Sequence, residues 1–301
     1  MPADDFLRQS TRGFDGTPLC AWIRRRGPRW LLTCTGYGGT LPAWQPLFDE
    51  LAPSWSILIW DYRGQFGSDA PPGDLPIVIA DHSRDLESLM AAEGISGGVL
   101  MGWSVGVQVA LEHYRRRPEQ VQALVLINGA YERVLHSPFG PGLGARLTRG
   151  ATHLAALAAD HLQPLMRPLF RKPALARTAV ALGMVRGSQE TFAPALAAWE
   201  KLDLGRYFRM TLTADEHVTS DMHGLVEVPT LITAGEKDLI SPVRLAEELH
   251  QAISGSELLV IPDTTHYAII EKPSFCARAI DRFLAERLRL RPETTKPIES
   301  A

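Results

Sequence analysis

Short apolar runs alternate with helical patterns along most of the chain, and each run ends in a polar or glycine-rich turn. Strands that alternate with helices in this way are typical of a mostly parallel sheet. The runs that predict strands cover residues 30–40, 55–69, 97–104, 121–130, 228–238 and 258–266. Residues 14–27 add a predicted hairpin that turns at Asp15-Gly16, because Asp-Gly favours tight antiparallel turns.

The same periodicity predicts the helices between these strands. Apolar residues at helical spacing indicate helices at residues 78–93, from the turn at Ser104 to 117, at 242–252 and at 273–289. The last of these helices has a predicted apolar face, which consists of Phe275, Ala279, Ile280, Phe283 and Leu284.

The strand pattern stops between Ala130 and Val226. This stretch is rich in Ala, Leu, Pro and Arg, and a structureless loop of that length is implausible in a compact domain. We therefore predict a helical cap at residues 131–226 that lies over the sheet. The remaining boundaries are a core of residues 1–130 and 227–291 and a polar, flexible tail at 292–301.

Composition and charge narrow the class of protein. The chain has 301 residues, 45% of them hydrophobic, and a formal net charge of -3, which gives it no electrostatic preference for nucleic acid. The first residues lack the apolar segment of a signal peptide, and no window approaches the ~18 apolar residues of a membrane span. We therefore expect a cytoplasmic protein. Its three cysteines have no metal-binding spacing.

A G-x-S-x-G sequence lies between a predicted strand and a predicted helix, with its serine at Ser104. A serine on such a sharp turn projects from the carboxyl edge of the sheet, and the flanking Gly102 and Gly106 avoid Cβ clashes. The N-terminus of the helix supplies free N–H groups and a dipole that favours developing negative charge. Ser104 is therefore the predicted nucleophile, and the alternative is a serine that only caps the helix.

A serine hydroxyl needs a base within hydrogen-bond reach, and the base needs a carboxylate to orient it. His266 directly follows a predicted strand, whereas the other eight histidines lie in helical or loop-like polar settings. We predict His266 as the base and Asp238, at the end of the preceding strand, as the acid. Glu132, which follows the strand at 121–130, is the alternative acid.

Acyl transfer also needs N–H donors for the oxyanion. The backbone N–H of Val105, directly after the nucleophile, is one predicted donor. The glycine-rich turn after the first long strand is the predicted source of the other, and we assign it to the backbone N–H of Tyr37. Trp103 and Tyr267, beside the nucleophile and the base, are candidates for the wall of the substrate pocket.

Four segments together resemble the α/β-hydrolase family, and they occur in the family's order. TGYGGT resembles the HGxxG oxyanion segment, GWSVG the nucleophile turn, GEKDLISP the acid-bearing turn and THYAIIEKP the histidine segment. The resemblance covers nearly everything outside the cap. It implies a mostly parallel, eight-stranded sheet with helices on both faces and a helical cap after the sixth strand. It also implies a serine-nucleophile, esterase- or lipase-like branch.

Three positions depart from the family pattern. Thr35 replaces the histidine of HGxxG, Phe66 occupies the place of a glycine in D-x-R-G-x-G-x-S, and Val107 stands where many relatives carry a second glycine. Asp61 and Arg63 could form a functional charged pair near the site, but we expect a structural role in which they bond the loops at the sheet edge.

Residues 131–186 carry eight Arg and Lys residues against only Glu132 and Asp160, together with many leucines. The favoured interpretation is a solvated cap whose apolar face lines the pocket or core. The alternative is weak contact with an anionic membrane surface, or acceptance of a fatty acyl ester.

These features predict a carboxylesterase- or lipase-like serine hydrolase that cleaves a small acyl substrate through an acyl-serine, with no metal and no organic cofactor. Lactonase, thioesterase, C–C bond hydrolase, aminopeptidase and acyltransferase chemistry use the same residues, and the fold does not separate them. A hydrolase-fold receptor without turnover is a further alternative. The sequence leaves the oligomeric state open.

Overall fold

The structure is a computed structural model, and it describes residues 5–73, 75–138 and 140–289. The flexible tail predicted at 292–301 lies outside these residues. None of the helices within the described ranges combines the length and apolar character needed to cross a bilayer.

The described residues form an eight-stranded sheet with the strand order β1-β2-β4-β3-β5-β6-β7-β8. The hairpin strands β1 and β2 are antiparallel to each other, β2 is antiparallel to β4, and all other neighbours are parallel. The strands are β1 (Leu7–Arg12), β2 (Pro18–Arg24), β3 (Trp30–Cys34), β4 (Ser56–Trp60), β5 (Gly98–Trp103), β6 (Val121–Ile127), β7 (Thr230–Gly235) and β8 (Glu257–Ile261).

Ten helices connect and cover these strands in the part of the chain that the structure describes. They are α1 (Leu41–Glu50), α2 (Ile79–Ala92), α3 (Gly106–Arg116), α4 (Leu143–Phe170), α5 (Pro173–Ala181), α6 (Gln189–Ala198), α7 (Leu204–Ala214), α8 (Val243–Ala252), α9 (Ala268–Glu271) and α10 (Pro273–Arg287).

The central strands are buried on both faces, which is why they read as continuous apolar runs rather than as alternating ones. Leu32, Leu58 and Leu100 belong to one apolar layer, which packs against α2 and α3. Leu31 and Ile57, one residue earlier in their strands, belong to the layer on the opposite face with α1 and α10. This arrangement confirms the predicted mostly parallel sheet with helices on both faces.

The predicted helix ends lie within about two residues of those observed, whereas the strands are shorter than their predicted runs, since β4 ends at Trp60 and its run extends to 69. The hairpin turns at Gly16, whose φ of +87° is a left-handed conformation that suits glycine. The last helix ends at Arg287 rather than 289. Its buried face includes Cys276 and Ala277 beside the predicted Ile280, Phe283 and Leu284, while Phe275 and Ala279 are only half-buried.

Helices α4 to α7 lie between β6 and β7, where the helical insertion is predicted. We call residues 128–229 the β6–β7 segment. Within it α4 packs against α7 and α5 against α6, while α6 also contacts α1 of the sheet layer. The division of the chain into a core and a cap stays a prediction.

The apolar side of α4 does not face the core as the favoured interpretation holds. Phe170 is buried, but Leu154, Leu157 and Leu165 are each 68% exposed. The buried side of α4 consists instead of small residues such as Ala156 and Ala159, which allow close packing against α7. For the α4 leucines the interpretation is therefore wrong, because they occupy the opposite side of the helix, whereas Phe170 and Leu175 of the same basic segment do line a cavity.

Asp61 and Arg63 do not pair with each other, and each ties loops together at the sheet edge as expected. Arg63 is buried and pairs with Asp85 of α2 at 2.5 Å and with Asp15 of the hairpin at 2.9 Å. Asp61 accepts hydrogen bonds from the Thr40 hydroxyl at 2.6 Å and from the Gly67 N–H at 2.9 Å. Burial raises the pKa of Asp61 to about 6, although these two hydrogen bonds lower it.

Candidate active site

Ser104 occupies the turn between β5 and α3, with a left-handed φ of +59°. A non-glycine residue in this region carries strain that the surrounding structure must hold in place. The backbone is held because the Ser104 N–H donates to the Ile127 carbonyl of the neighbouring strand at 3.0 Å. The predicted nucleophile therefore sits on a sharp, strained strand-to-helix turn.

The turn is possible only because the backbone of α3 comes very close to the end of β3. A Cβ on Gly106 would lie 2.0 Å from the Cys34 carbonyl oxygen. A Cβ on Gly102 would lie 2.5 Å from the Gly106 carbonyl oxygen. Both distances are far inside van der Waals contact, so the two flanking positions of the motif require glycine.

His266 and Asp238 reach Ser104 from the ends of neighbouring strands. His266 follows β8, and its Nε2 lies 2.9 Å from Ser104 Oγ. Asp238 follows β7, and its Oδ2 lies 2.9 Å from His266 Nδ1. A proton on Nδ1 that is donated to the carboxylate leaves Nε2 as the acceptor for the serine hydroxyl. The three predicted residues thus form one continuous hydrogen-bonded chain.

The Asp238 carboxylate is held by further donors besides the histidine. The N–H groups of Ile240 and Ser241 each donate to Oδ1 at 2.8 Å. The side-chain amide of Asn128 donates to Oδ2 at 3.1 Å and to the Thr265 carbonyl at 3.0 Å. Because both oxygens are engaged, the carboxylate has a fixed orientation toward His266.

The alternative acid, Glu132, lies elsewhere. Its carboxylate accepts a hydrogen bond from the Ser220 N–H at 3.3 Å and makes no contact with His266. The structure therefore brings Asp238, and not Glu132, to the predicted base.

The two predicted oxyanion donors lie beside the nucleophile. Tyr37 and Val105 both line cavities that also contain Ser104. Gly36 approaches the serine so closely that a Cβ there would lie 2.9 Å from Ser104 Cβ. Among the described residues, neither the Tyr37 nor the Val105 N–H has a protein acceptor. Both are therefore free to receive a bound group.

The loop that carries Tyr37 is fixed by hydrogen bonds from three directions. Thr35, in the place of the family's histidine, accepts a hydrogen bond from Trp44 Nε1 at 3.1 Å. The Gly38 N–H donates to Gln65 Oε1 at 3.0 Å. Trp199 of the β6–β7 segment donates its Nε1–H to the Gly38 carbonyl at 2.8 Å. The loop thus keeps its support although the histidine is absent.

The Tyr37 side chain anchors the same loop in the core. Its hydroxyl lies 3.3 Å from Nε2 of His82, and the His82 ring stacks on Tyr62. Burial lowers the pKa of His82 far below its ordinary value and raises the pKa of Tyr37. Both groups are therefore neutral at physiological pH, and their contact is a hydrogen bond between neutral partners.

Phe66, at the departure from the family's glycine, adopts a φ of +47°. The backbone therefore keeps the left-handed conformation that a glycine would adopt, at a cost of order 1 kcal/mol. Its ring packs beside the cluster that contains Phe170 and Leu202 of the β6–β7 segment. The Phe66 ring thus adds apolar packing that a glycine could not provide.

A cavity of about 490 Å³ opens at Ser104 and His266 beneath the β6–β7 segment. Trp103 and Tyr267, the two predicted wall residues, both line it. Trp103 also donates its Nε1–H to the His266 carbonyl at 3.0 Å, which fixes the histidine backbone. Helices α5 and α6 contribute much of the remaining wall, which is almost entirely apolar.

Sequence reasoning did not identify Asn128, Gln65 and Trp199. Asn128 directly follows β6, so its strand-end position is a signal comparable with that of Asp238. Gln65 lies in the DYRGQFGSD turn, where its side chain is buried. Trp199 lies in the helical insertion, and no local pattern connects it with Gly38.

No cluster of three or more His, Cys, Asp and Glu side chains suited to a metal ion occurs in the part of the chain that the structure describes.

A sequence model of the α/β-hydrolase fold family matches residues 29–273, which is most of the chain. The protein therefore belongs to the α/β-hydrolase family, and its relatives support hydrolase activity.

Among its relatives is a pimeloyl-[acyl-carrier protein] methyl ester esterase from Neisseria meningitidis, which is 25% identical over 84% of this chain and 92% of its own length. A thermophilic esterase from Thermogutta terrifontis superposes with a TM-score of 0.71 at 20% identity, over 93% of this chain and 98% of the other. An enol-lactonase from Burkholderia xenovorans superposes with a TM-score of 0.68 at 21% identity, over 92% and 100%.

Adding one methyl group at Gly106 tests the close approach that shapes the site. In Gly106→Ala the new Cβ meets the Cys34 carbonyl, and we expect the free energy of unfolding to fall by about 2–4 kcal/mol. In Gly150→Ala, within α4, the new Cβ meets nothing within 4 Å, and we expect a gain of about 0.5–1 kcal/mol from helix propensity. Urea denaturation measures both changes. Equal effects of the two substitutions would contradict this account.

Proposed function

We propose that the protein hydrolyses a carboxylic ester through an acyl-serine intermediate formed on Ser104. The observation that carries the proposal is the unbroken chain of hydrogen bonds from Ser104 through His266 to Asp238, with both contacts at 2.9 Å. This chain meets the large apolar cavity at the serine hydroxyl, so a bound ester has its carbonyl next to the nucleophile.

In the first half-reaction Ser104 Oγ attacks the ester carbonyl carbon, and the serine proton moves to His266 Nε2. Asp238 stabilises the imidazolium and holds its orientation through Nδ1. The carbonyl oxygen gains negative charge and accepts hydrogen bonds from the N–H groups of Tyr37 and Val105. The bond to the alcohol oxygen then breaks, and His266 gives its proton to that oxygen.

In the second half-reaction water takes the place of the alcohol. His266 Nε2 accepts a proton from the water as its oxygen attacks the acyl carbon of the Ser104 ester. The tetrahedral intermediate uses the same two N–H donors. Its collapse releases the acid, and the proton returns to Ser104 Oγ, so the enzyme is regenerated without any cofactor.

The β6–β7 segment acts as a cap in this proposal. It supplies most of the apolar wall, and it excludes water from the acyl-serine except where the second half-reaction needs it. The methyl ester esterase from Neisseria meningitidis supports an ester as the substrate. The enol-lactonase from Burkholderia xenovorans makes a cyclic ester the second candidate, because lactone opening uses the same steps.

Removal of the Ser104 hydroxyl tests the nucleophile. We expect Ser104→Ala to lose nearly all hydrolysis of p-nitrophenyl esters, by at least about 1,000-fold in kcat, and to lose labelling by a fluorophosphonate probe. Ser220→Ala, which removes an exposed serine hydroxyl in the β6–β7 segment, is the matched control and should retain both. Retained turnover or labelling in Ser104→Ala would overturn the proposal, and no turnover by the native protein on esters and lactones would favour a receptor.

Exchange of one carboxylate for an amide tests the choice of acid. Asp238→Asn keeps the shape of the side chain but removes the negative charge that holds the histidine tautomer, and we expect kcat to fall by about 1,000-fold or more. Glu132→Gln makes the same chemical change at the alternative position and should leave kcat within about twofold, because the Glu132 carboxylate accepts a hydrogen bond from Ser220 and not from His266. A large loss in Glu132→Gln with a small one in Asp238→Asn would reverse the assignment.

A further inference from the structure

A second cavity, of about 240 Å³, meets the first one at the nucleophile. Ser104, Tyr37, Tyr207 and Ile240 line both cavities. The base, His266, lines only the larger cavity. A substrate whose carbonyl lies at Ser104 therefore has room for one half in each cavity.

The two cavities differ in chemistry. The larger one is walled mainly by aliphatic and aromatic side chains. Beside Ser104 and His266, its polar side-chain groups are the phenols of Tyr37, Tyr207 and Tyr267, the indole N–H groups of Trp103 and Trp199, which both donate to backbone carbonyls, and the hydroxyl of Thr178. The smaller one has five further serine and threonine hydroxyls beside the shared Ser104, namely Ser137, Thr148, Thr152, Thr211 and Ser241. Among the described residues, no Lys, Arg, Asp or Glu lines either cavity.

The hydrogen-bonding capacity of the smaller cavity is only partly used. Its three threonines donate their protons to carbonyls of the preceding helical turn at 2.8 or 2.9 Å, and so remain acceptors. The Ser137 hydroxyl is buried and has no partner among the described residues. The Ser241 hydroxyl also lacks one in that part of the chain. A buried hydroxyl without a partner costs free energy that a bound polar group would recover.

We propose that the substrate is an ester that joins an aliphatic half, bound in the larger cavity, to a compact, uncharged, hydroxyl-bearing half, bound in the smaller one. The proposal rests on the proposed ester hydrolysis and names its substrate class. A charged group in either half is disfavoured, because neither cavity offers an opposite charge. The hydroxyl-bearing half is either the alcohol or the acid of the ester, since the same groups recognise both.

Two pairs of esters test this substrate class with each half in turn. The first pair compares 1-octanoylglycerol with propyl octanoate, and the second compares octyl glycerate with octyl propanoate. Within a pair, the two esters differ only by two hydroxyl groups. We expect kcat/KM to favour the hydroxylated ester about tenfold in one pair, because two new hydrogen bonds to neutral groups are worth about that factor. The pair that shows it identifies the alcohol or the acid as the polar half.

Substitutions that each delete one hydroxyl show which residues produce the preference for the hydroxylated ester. Ser137→Ala should reduce the preference to about threefold, because one free donor is lost. Thr178→Val removes a hydroxyl from the larger cavity and should leave the preference unchanged.

No preference in either pair, together with Ser104-dependent cleavage of propyl octanoate, would overturn the substrate class and leave the proposed hydrolysis standing. A preference that survives both Ser137→Ala and Ser241→Ala would also overturn it. Failure to cleave any of the esters would contradict the proposed function itself.

A separate observation concerns the outer face of α4. Six leucines of this helix are between 50% and 71% exposed, namely Leu143, Leu147, Leu154, Leu157, Leu162 and Leu165. At 100° per residue they fall within a sector of roughly 140° that runs the length of the helix. A contiguous apolar surface of this kind on a folded protein marks an interaction site.

The unpaired positive charges on and beside α4 indicate the partner of its leucine face. Arg146 and Arg167 on α4, and Lys172 and Arg177 just beyond it, form no ion pair with other described residues. Asp160 is the only acidic residue in the α4 sequence. A second copy of the chain would bring these like charges together, whereas anionic lipid headgroups would neutralise them. A helix that exposes leucines and also carries unpaired cations suits a position in the headgroup region of a membrane.

We infer that α4 docks on a membrane surface that contains anionic lipid, with its leucines buried among the acyl chains and without crossing the bilayer. Two side chains that line the larger cavity, Leu182 and Met184, are themselves 71% and 63% exposed. An apolar substrate therefore meets apolar side chains from the protein surface to the cavity wall.

Vesicle flotation at low salt tests this docking with the full chain. We expect binding to vesicles of phosphatidylcholine with phosphatidylserine, weaker binding to phosphatidylcholine alone, and a loss of binding as salt rises. The double substitution Leu154→Gln with Leu157→Gln should weaken binding at least tenfold, because two leucines no longer enter the lipid. Leu225→Gln, at a leucine that is 69% exposed outside α4, is the matched control and should bind like the native protein.

The absence of binding to phosphatidylserine vesicles at low salt would overturn the docking proposal. Equal binding by the double variant and the native protein would also overturn it. Sedimentation equilibrium tests the other possible occupant of the α4 face, which is a second copy of the chain. A dimer that the double variant loses, without native binding to vesicles, would assign the face to a second copy of the chain instead.

Discussion

The contact between the backbones of Gly106 and Cys34 is the constraint on which the site depends. It allows α3 to begin directly beneath the end of β3, which turns Ser104 outward and places its left-handed backbone between the oxyanion loop and His266. The strain at Ser104 is balanced by hydrogen bonding to β6 and by the burial of the flanking elements. Any side chain at Gly106 would push α3 away from the end of β3, and so would move the nucleophile relative to the oxyanion loop. The fold and the site therefore share one steric requirement.

A second link joins the β6–β7 segment to the oxyanion loop. Trp199 donates to the carbonyl of Gly38, and its ring would lie 2.7 Å from a Cβ at that glycine. The loop that presents the Tyr37 N–H is thus supported on one side by Gln65 of the core and on the other by the segment that walls the cavity. Movement of this segment would therefore change the position of an oxyanion donor as well as the access to the cavity.

Much of the fold and the three central site residues could be predicted from the sequence, because their signals are local. Ser104, Asp238 and His266 each follow a strand-like run, and the carboxyl ends of parallel strands meet at one edge. Asn128 carries the same strand-end signal, but its amide could pair with many groups. Its bond to Asp238 joins residues far apart in the chain. The exposure of the α4 leucines was not predicted, because helical periodicity identifies an apolar side without saying which neighbour covers it.

The positive φ of Ser104 limits which nucleophilic residues could replace it during evolution. A β-branched side chain is disfavoured in the left-handed region, because its second substituent on Cβ crowds the backbone. Threonine is therefore a poor replacement for Ser104, although it carries the same hydroxyl. Unbranched nucleophiles, such as the thiol of cysteine or the carboxylate of aspartate, fit the same turn. The backbone thus limits which new chemistries a single substitution could introduce here, before any requirement of the substrate is considered.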